Sequence, residues 1–187
     1  MGTHELPYLM MIKRILCAGD YVIDIGAHEG YFSLFMSPLV GKSGKVFAIE
    51  PNPENLYFLH RNAEINSEHN IQVMGKAISD KKRRARFFCA DNMGPWGSLT
   101  DFPYFKTWFK TKKTIEVDVD TLDNLFANVN QKIKFLKIDT EGNELNVFLG
   151  AEKLLSEHKP HICFEINLIL WAHLNSSIDI MLNCPEG

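Results

Sequence analysis

Apolar and polar positions along this chain fall into two alternating periods, which divide it into strand-then-helix units. Val22, Ile23 and Ile25 form a short, β-branched apolar run broken only by Asp24. Such a run suits a strand buried on both faces of a parallel sheet. Runs of the same character recur at 45–49 (K-V-F-A-I), 71–74, 133–139 (I-K-F-L-K-I-D) and 162–167 (I-C-F-E-I-N). Between them the spacing widens to that of helices. Leu6, Leu9, Ile12 and Leu16 share one face of a helix predicted over 5–17, with Pro7 in its first turn and Gly19-Asp20 as its stop. A second helix runs from Tyr31 until Pro38 kinks or ends it. A third carries Leu56, Leu59 and Ala63 behind Asn52, a good N-cap, and Pro53, a good first helical residue. Another begins at Asn143 or Glu144 and continues through Leu155. Strands alternating with helices predict an α/β sandwich whose parallel strands, counted along the chain, stand in the order 3-2-1-4-5.

The stretch between the third and fourth of these strands is different. Lys81 to Arg86 is the only charge run and reads as a solvated hairpin turn before a strand at 86–89. No interleaved aromatics accompany it, as a nucleic-acid surface would require. Residues 90–113 lack periodicity but hold Trp96, Tyr104, Trp108 and Phe109, which predicts a substrate or lid loop. Residues 114–119 alternate as a half-buried strand, and Thr121 caps a short helix, L-D-N-L-F. A chain of 187 residues suits one domain: an amino-terminal helix within 1–19, a core over 20–167 and a short tail over 168–187. The net charge of −3 gives no general attraction to nucleic acid or to an acidic membrane. No apolar run approaches the ~18 residues that span a bilayer, and the amino end lacks the layout of a signal peptide. Cys17, Cys89, Cys163 and Cys184 form no CxxC pair and read as free thiols of a reducing compartment, which predicts a cytoplasmic protein.

Candidate chemistry gathers at the carboxyl ends of the strands, where open α/β sheets bind ligands. Gly26 and Gly30 bracket the turn after the first strand. Gly26 lets the backbone turn sharply and leaves no Cβ between chain and ligand. A dinucleotide fingerprint needs a further glycine where this chain has His28, so the pattern favours a ligand without a pyrophosphate. Glu50 ends the second strand, in place to accept both hydroxyls of a ribose. S-adenosylmethionine has a ribose, an adenine and a sulfonium but no phosphate, and fits these features better than NAD. On the acceptor side, Asp139 and Glu141 follow the fourth strand, where either could serve as general base or simply shape the turn and cap a helix. No D/N-P-P-Y/F follows that strand, which argues against methyl transfer to an exocyclic base nitrogen.

Four motifs in order, D-I-G-A-H-E-G-Y-F-S, F-A-I-E-P-N-P, T-L-D-N-L and K-I-D-T-E-G-N-E, resemble the FkbM-type S-adenosylmethionine-dependent methyltransferases from about Gly19 to Asn167. The last motif is the most specific. The resemblance implies a Rossmann-like class I methyltransferase sandwich and an O-methyltransferase acting on a small molecule or sugar hydroxyl. Carried over residue by residue, it implies cofactor contacts from Asp24, Gly26, Ala27, His28 and Gly30, from Glu50, Pro51 and Asn52, and from Ala77 and Ile78 beside the adenine. Asp80 would shape a turn or meet the adenine amino group, and Glu5 would lie near the methionine end. It also implies Asp139 and Glu141 as catalytic. Only 20 residues follow Asn167, too few for the two antiparallel strands that usually close this sheet, so those strands are expected to be missing. In a metal-using relative of the class, acidic and amide groups at the corresponding strand ends hold magnesium. Asp139, Glu165 and Asn167 would be that set for a divalent ion, although binding the methionine amino group or capping turns without a metal is the favoured reading. The alternatives are a non-catalytic S-adenosylmethionine-binding module and an NAD-binding oxidoreductase. The expected partner is a small-molecule or saccharide acceptor, with neither nucleic acid nor membrane.

Overall fold

A computed structural model describes residues 6–66, 69–90, 96–102 and 112–167. Five strands, β1 (Tyr21–Ile25), β2 (Lys45–Ile49), β3 (Ile71–Met74), β8 (Ile133–Ile138) and β9 (His161–Phe164), form one sheet in the order β3-β2-β1-β8-β9, with every pairing parallel. This is the order the hydrophobic runs predict. Because side chains alternate across a strand, the two faces bury different sets. Val22, Val46 and Phe135 pack under α1 (Leu6–Ile15) and α2 (Tyr31–Val40), and Ala48 packs under α3 (Pro53–Ile65). Ile23, Ile25, Phe47, Ile49, Leu136 and Ile138 face α4 (Leu122–Leu125), α5 (Glu144–Leu149) and α6 (Glu152–His158). The β1–β8 register slips by one residue after Tyr21, which is why Ile133 and Phe135, two apart in sequence, pack on opposite faces.

Two helices differ from their sequence pattern. The run from Glu144 to Leu155 is not one helix: it breaks at Gly150–Ala151 into α5 and α6. A Cβ at Gly150 would lie 2.1 Å from the Ser79 carbonyl, and the Asp123 N–H takes the Gly150 carbonyl out of the helix ladder. The Asp123 carboxylate then accepts from the amides of Lys153 and Leu154 in the first turn of α6. Pro38 does not end α2 at once: it offers no N–H to the Leu34 carbonyl, yet the helix runs on for two more residues to Val40.

A second sheet stands over the carboxyl ends of the first. Strands β4 (Ala77–Ile78), β5 (Arg83–Ala90), β6 (Gly97–Ser98) and β7 (Lys112–Asp120) form it in the order β4-β7-β5-β6. The β5–β7 ribbon is antiparallel, from Arg83 opposite Val119 to Ala90 opposite Lys112. The basic run is not the expected hairpin turn: only Lys81 and Lys82 precede β5, which already begins at Arg83, where Arg83 bonds Asp80 at 2.8 Å, Arg84 lies 3.6 Å from Asp118, and Arg86 lies over the Phe88 ring. Asp80, which also accepts from the Ser79 hydroxyl, is therefore a turn residue. Glu5, much of the 90–113 loop and the tail after Asn167 lie outside the described residues.

Candidate active site

Strand ends β1, β2 and β8, with β4 and β6 above them, enclose a cavity of about 390 Å³. Its floor is the glycine turn. The N–H groups of Gly26 and Ala27 both donate to the Ile49 carbonyl, at 2.9 and 3.0 Å, and that of His28 donates to the Glu50 carboxylate at 2.9 Å. Gly26 has φ of 72°, and a Cβ there would sit 1.8 Å from the Asp139 carbonyl oxygen. The glycine is thus demanded by the close approach of β8, not only by a ligand. His28, at φ of 55°, is held in the left-handed region without being glycine.

Glu50 is 4% exposed. One of its oxygens accepts from the His28 amide, the other from the Asn52 amide at 2.9 Å and from Asn55 Nδ2 at 3.1 Å. Burial raises its carboxyl above the ordinary value, against the opposing pull of these bonds. A carboxylate offers about four lone-pair sites. With three occupied, the Oε2 atom beside His28 keeps one.

Of the other sequence-derived cofactor candidates, Ala27, His28, Pro51, Ala77 and Ile78 line the cavity with Gly26 and Glu50. Asp24, Gly30 and Asn52 do not line it. Asp24 is buried beneath the turn and accepts from the Ser33 hydroxyl at 2.6 Å. Gly30 precedes α2, where a Cβ would meet Leu59 at 2.4 Å. Asn52 accepts the Glu54 amide as N-cap of α3.

The β8 side contributes Lys137, Asp139, Thr140 and Glu141. Lys137 is buried, and its ammonium lies 3.1 Å from the Gly26 carbonyl, 3.4 Å from Asp24 and 3.2 Å from Asp139. Burial disfavours its charge, but the two carboxylates outweigh it and hold its pKa above that of ordinary lysine. Glu141, also left-handed at φ of 54°, accepts at its carbonyl from the Ser98 hydroxyl at 2.8 Å. Its carboxyl is pushed up to about 8, first by burial and then by the charges of Asp139 and Glu165, while the Trp96 side chain bonds it. Glu165, just past β9, is raised to about 7 by burial and by Asp139. Glu144 anchors this loop, one oxygen accepting from the Thr140 amide and hydroxyl and the Gly142 amide. Asn143 donates to the Ile78 carbonyl at 2.7 Å, tying the loop to β4.

The oxygens of Asp139, Glu141 and Glu165 come within 4.8 Å of one another. Of the anticipated set of Asp139, Glu165 and Asn167, the two carboxylates lie in this group, and Glu141 joins them. Three carboxylates can suit a hard divalent ion. With no cation among them, burial and mutual repulsion raise Glu141 and Glu165, while Asp139 pairs with Lys137.

Sequence reasoning missed Lys137, Asn55 and Asn143, all of which line the cavity, as does Trp96 from the predicted aromatic loop. Lys137 had a signal: it is a charge inside an apolar strand, at an alternation position shared with Phe135, and such charges stay buried only when paired. Asn55 lies one helical turn from Asn52 and had none.

The model of the methyltransferase FkbM domain matches residues 24–183. The chain belongs to the FkbM methyltransferase family. Consistent with this, its fold resembles that of the crystallised methyltransferase FkbM from Methylobacillus flagellatus KT, with a TM-score of 0.55 at 17% identity over 86% of this chain. The chain spans 48% of that protein's length, about half. A Streptococcus mutans protein solved in complex with S-adenosylhomocysteine shares the fold at a TM-score of 0.59 and 9% identity, with all of this chain and 85% of that one covered. The FkbM chain is also 27% identical to the protein-L-isoaspartate O-methyltransferase of Fervidobacterium nodosum over 165 residues, which are 87% of this chain and 74% of the relative.

Proposed function

We propose that this FkbM chain is an S-adenosylmethionine-dependent O-methyltransferase acting on a hydroxyl of a small molecule or sugar. The observation that carries the reading is that one cavity receives both the Glu50-braced glycine turn and the Asp139 and Glu141 carboxylates. The residues present fit the cofactor the family implies. The cavity is within the roughly 300–1,000 Å³ of small-ligand sites. The free acceptor site on Glu50 suits a ribose hydroxyl, Ala77 and Ile78 offer an apolar wall to the adenine, and the turn makes no provision for a pyrophosphate.

When bound, S-adenosylmethionine supplies an electrophilic methyl on its sulfonium. The chain's own task is then to orient an acceptor hydroxyl and take its proton. Asp139, held beside the Lys137 ammonium, is the base. Glu141, its carboxyl pushed up to about 8 in the empty site, lines the same cavity and orients the acceptor hydroxyl. The three free thiols among the described residues, Cys17, Cys89 and Cys163, fit the cytoplasm. No described helix is long and apolar enough to cross a membrane.

A thermal-shift panel of S-adenosylmethionine, S-adenosylhomocysteine and NAD tests the cofactor: the first two should raise the melting temperature and NAD should not. A shift by NAD alone would refute the reading. A screen with methyl-labelled cofactor over sugars, hydroxylated small molecules and an isoaspartyl peptide, the acceptor class named for the Fervidobacterium relative, then tests the acceptor. Label appearing only on the peptide would overturn the hydroxyl assignment. Cofactor binding with no transfer to any acceptor would favour a non-catalytic binding module.

A further inference from the structure

We propose that Lys137 is a positioning residue: its ammonium locks the glycine turn to Asp139, so that the methyl donor and the candidate base keep one fixed relation. The inference rests on the cofactor reading above and deepens it. The Lys137 ammonium donates to the Gly26 carbonyl at 3.1 Å and forms ion pairs with Asp139 at 3.2 Å and with Asp24 at 3.4 Å. The Phe32 ring, 5.1 Å away, covers it further. The Gly26–Ala27 peptide is consequently held at both ends. Its N–H bonds the Ile49 carbonyl on β2, and its carbonyl receives Lys137 from β8.

A strand tie alone does not require this arrangement. β1 and β8 already share a parallel ladder in which Asp24 stands opposite Lys137. Buried ion pairs can often be exchanged for apolar pairs without loss of stability. An apolar pair at 24 and 137 would join the strands as well. It could not hold the Gly26 carbonyl or fix the Asp139 carboxylate. In an in-line displacement, donor and base must be placed together, and a misplacement of about 1 Å costs on the order of a hundredfold in rate. Lys137 touches both the turn and Asp139.

The test uses the double variant Asp24→Asn/Lys137→Met, because Lys137→Met alone would leave Asp24 buried without its cation. The expected result is a melting temperature near that of the wild type and unchanged amide exchange at Ile23. Exchange at the Ala27 amide should become about tenfold faster, and S-adenosylhomocysteine should bind about tenfold more weakly by calorimetry. A mere strand tie would instead loosen Ile23 and leave the affinity of the folded variant unchanged. Wild-type exchange at Ala27, or wild-type affinity in the folded double variant, overturns the proposal. If the wild type itself fails to bind S-adenosylhomocysteine, the cofactor reading falls, and the Ala27 exchange still decides whether Lys137 pins the turn. If the double variant does not fold, the wild-type protein carries the test. Its Lys137 ammonium should give a slowly exchanging NMR signal with a through-hydrogen-bond correlation to the Gly26 carbonyl carbon, and absence of that correlation overturns the pin.

Discussion

Replacing Glu50 by glutamine keeps the side chain's shape but exchanges an acceptor oxygen for a donor. From sequence alone the change looks mild, because the amide keeps one acceptor. The structure reverses that expectation, because three N–H groups already point at the carboxylate: His28 on one oxygen, Asn52 and Asn55 on the other. If the glutamine oxygen faces Asn52 and Asn55, its NH₂ confronts the His28 amide. The opposite flip confronts two donors. The better orientation still leaves one buried donor unpaired, at a cost of about 1–3 kcal/mol, and it occupies the site meant for the ribose hydroxyl. Glu50→Gln should therefore weaken S-adenosylhomocysteine binding by about 5- to 150-fold, comparable to the loss of about 1.5–3 kcal/mol expected for Glu50→Ala. Burial adds a pH signature. The Glu50 carboxyl is raised in the folded state, so its contribution to stability is full below its ordinary value of 4.5 and is lost as pH rises through the raised value. The glutamine variant lacks that slope. Calorimetric titration with S-adenosylhomocysteine, paired with urea melts across pH, measures both effects. An affinity for Glu50→Gln within twofold of the wild type would show that the donor count around Glu50 does not govern binding.

Three further outcomes follow from the same geometry. With Glu141 near 8 and Glu165 near 7, the arrival of a sulfonium cation should drive protons off this pair, so S-adenosylmethionine binding at pH 7.5 should release more protons than S-adenosylhomocysteine binding. Calorimetry in buffers of different ionisation enthalpy reads this directly, and equal release by the two ligands refutes it. Both carboxyls are raised in the fold, so the stability they contribute is present below 4.5 and is lost as pH climbs through about 7 and 8. Glu141→Gln should flatten the upper part of that decline, and an unchanged pH–stability curve counts against it. Gly26→Ala should cost more than the roughly 1–3 kcal/mol of a strained backbone position, because its Cβ would also strike the Asp139 carbonyl. A wild-type melting temperature for that variant would mean the turn can shift away from β8.

Local pattern was enough to place the five parallel strands, their order, and Gly26 and Glu50 at the ends of the strands that carry them. A buried parallel strand advertises itself through an unbroken apolar run, and the residue that ends the run must lie at the sheet's ligand-facing edge. The FkbM motifs are short for the same reason: each is one strand end and its turn. What the sequence could not disclose depends on distance through space. The break at Gly150 arises from the passing Ser79 carbonyl, and the amides opening α6 are met by Asp123 from a separate helix. The elevated carboxyls of Glu141 and Glu165 exist only because three strand and loop ends bring their charges together out of water. Lys137 opens the K-I-D-T-E-G-N-E motif, but its role was not legible there, since Gly26, whose carbonyl it holds, lies 111 positions away. Periodicity reports which face of its own element a residue occupies. Which groups meet across the cavity is decided when the sheet closes and desolvates them.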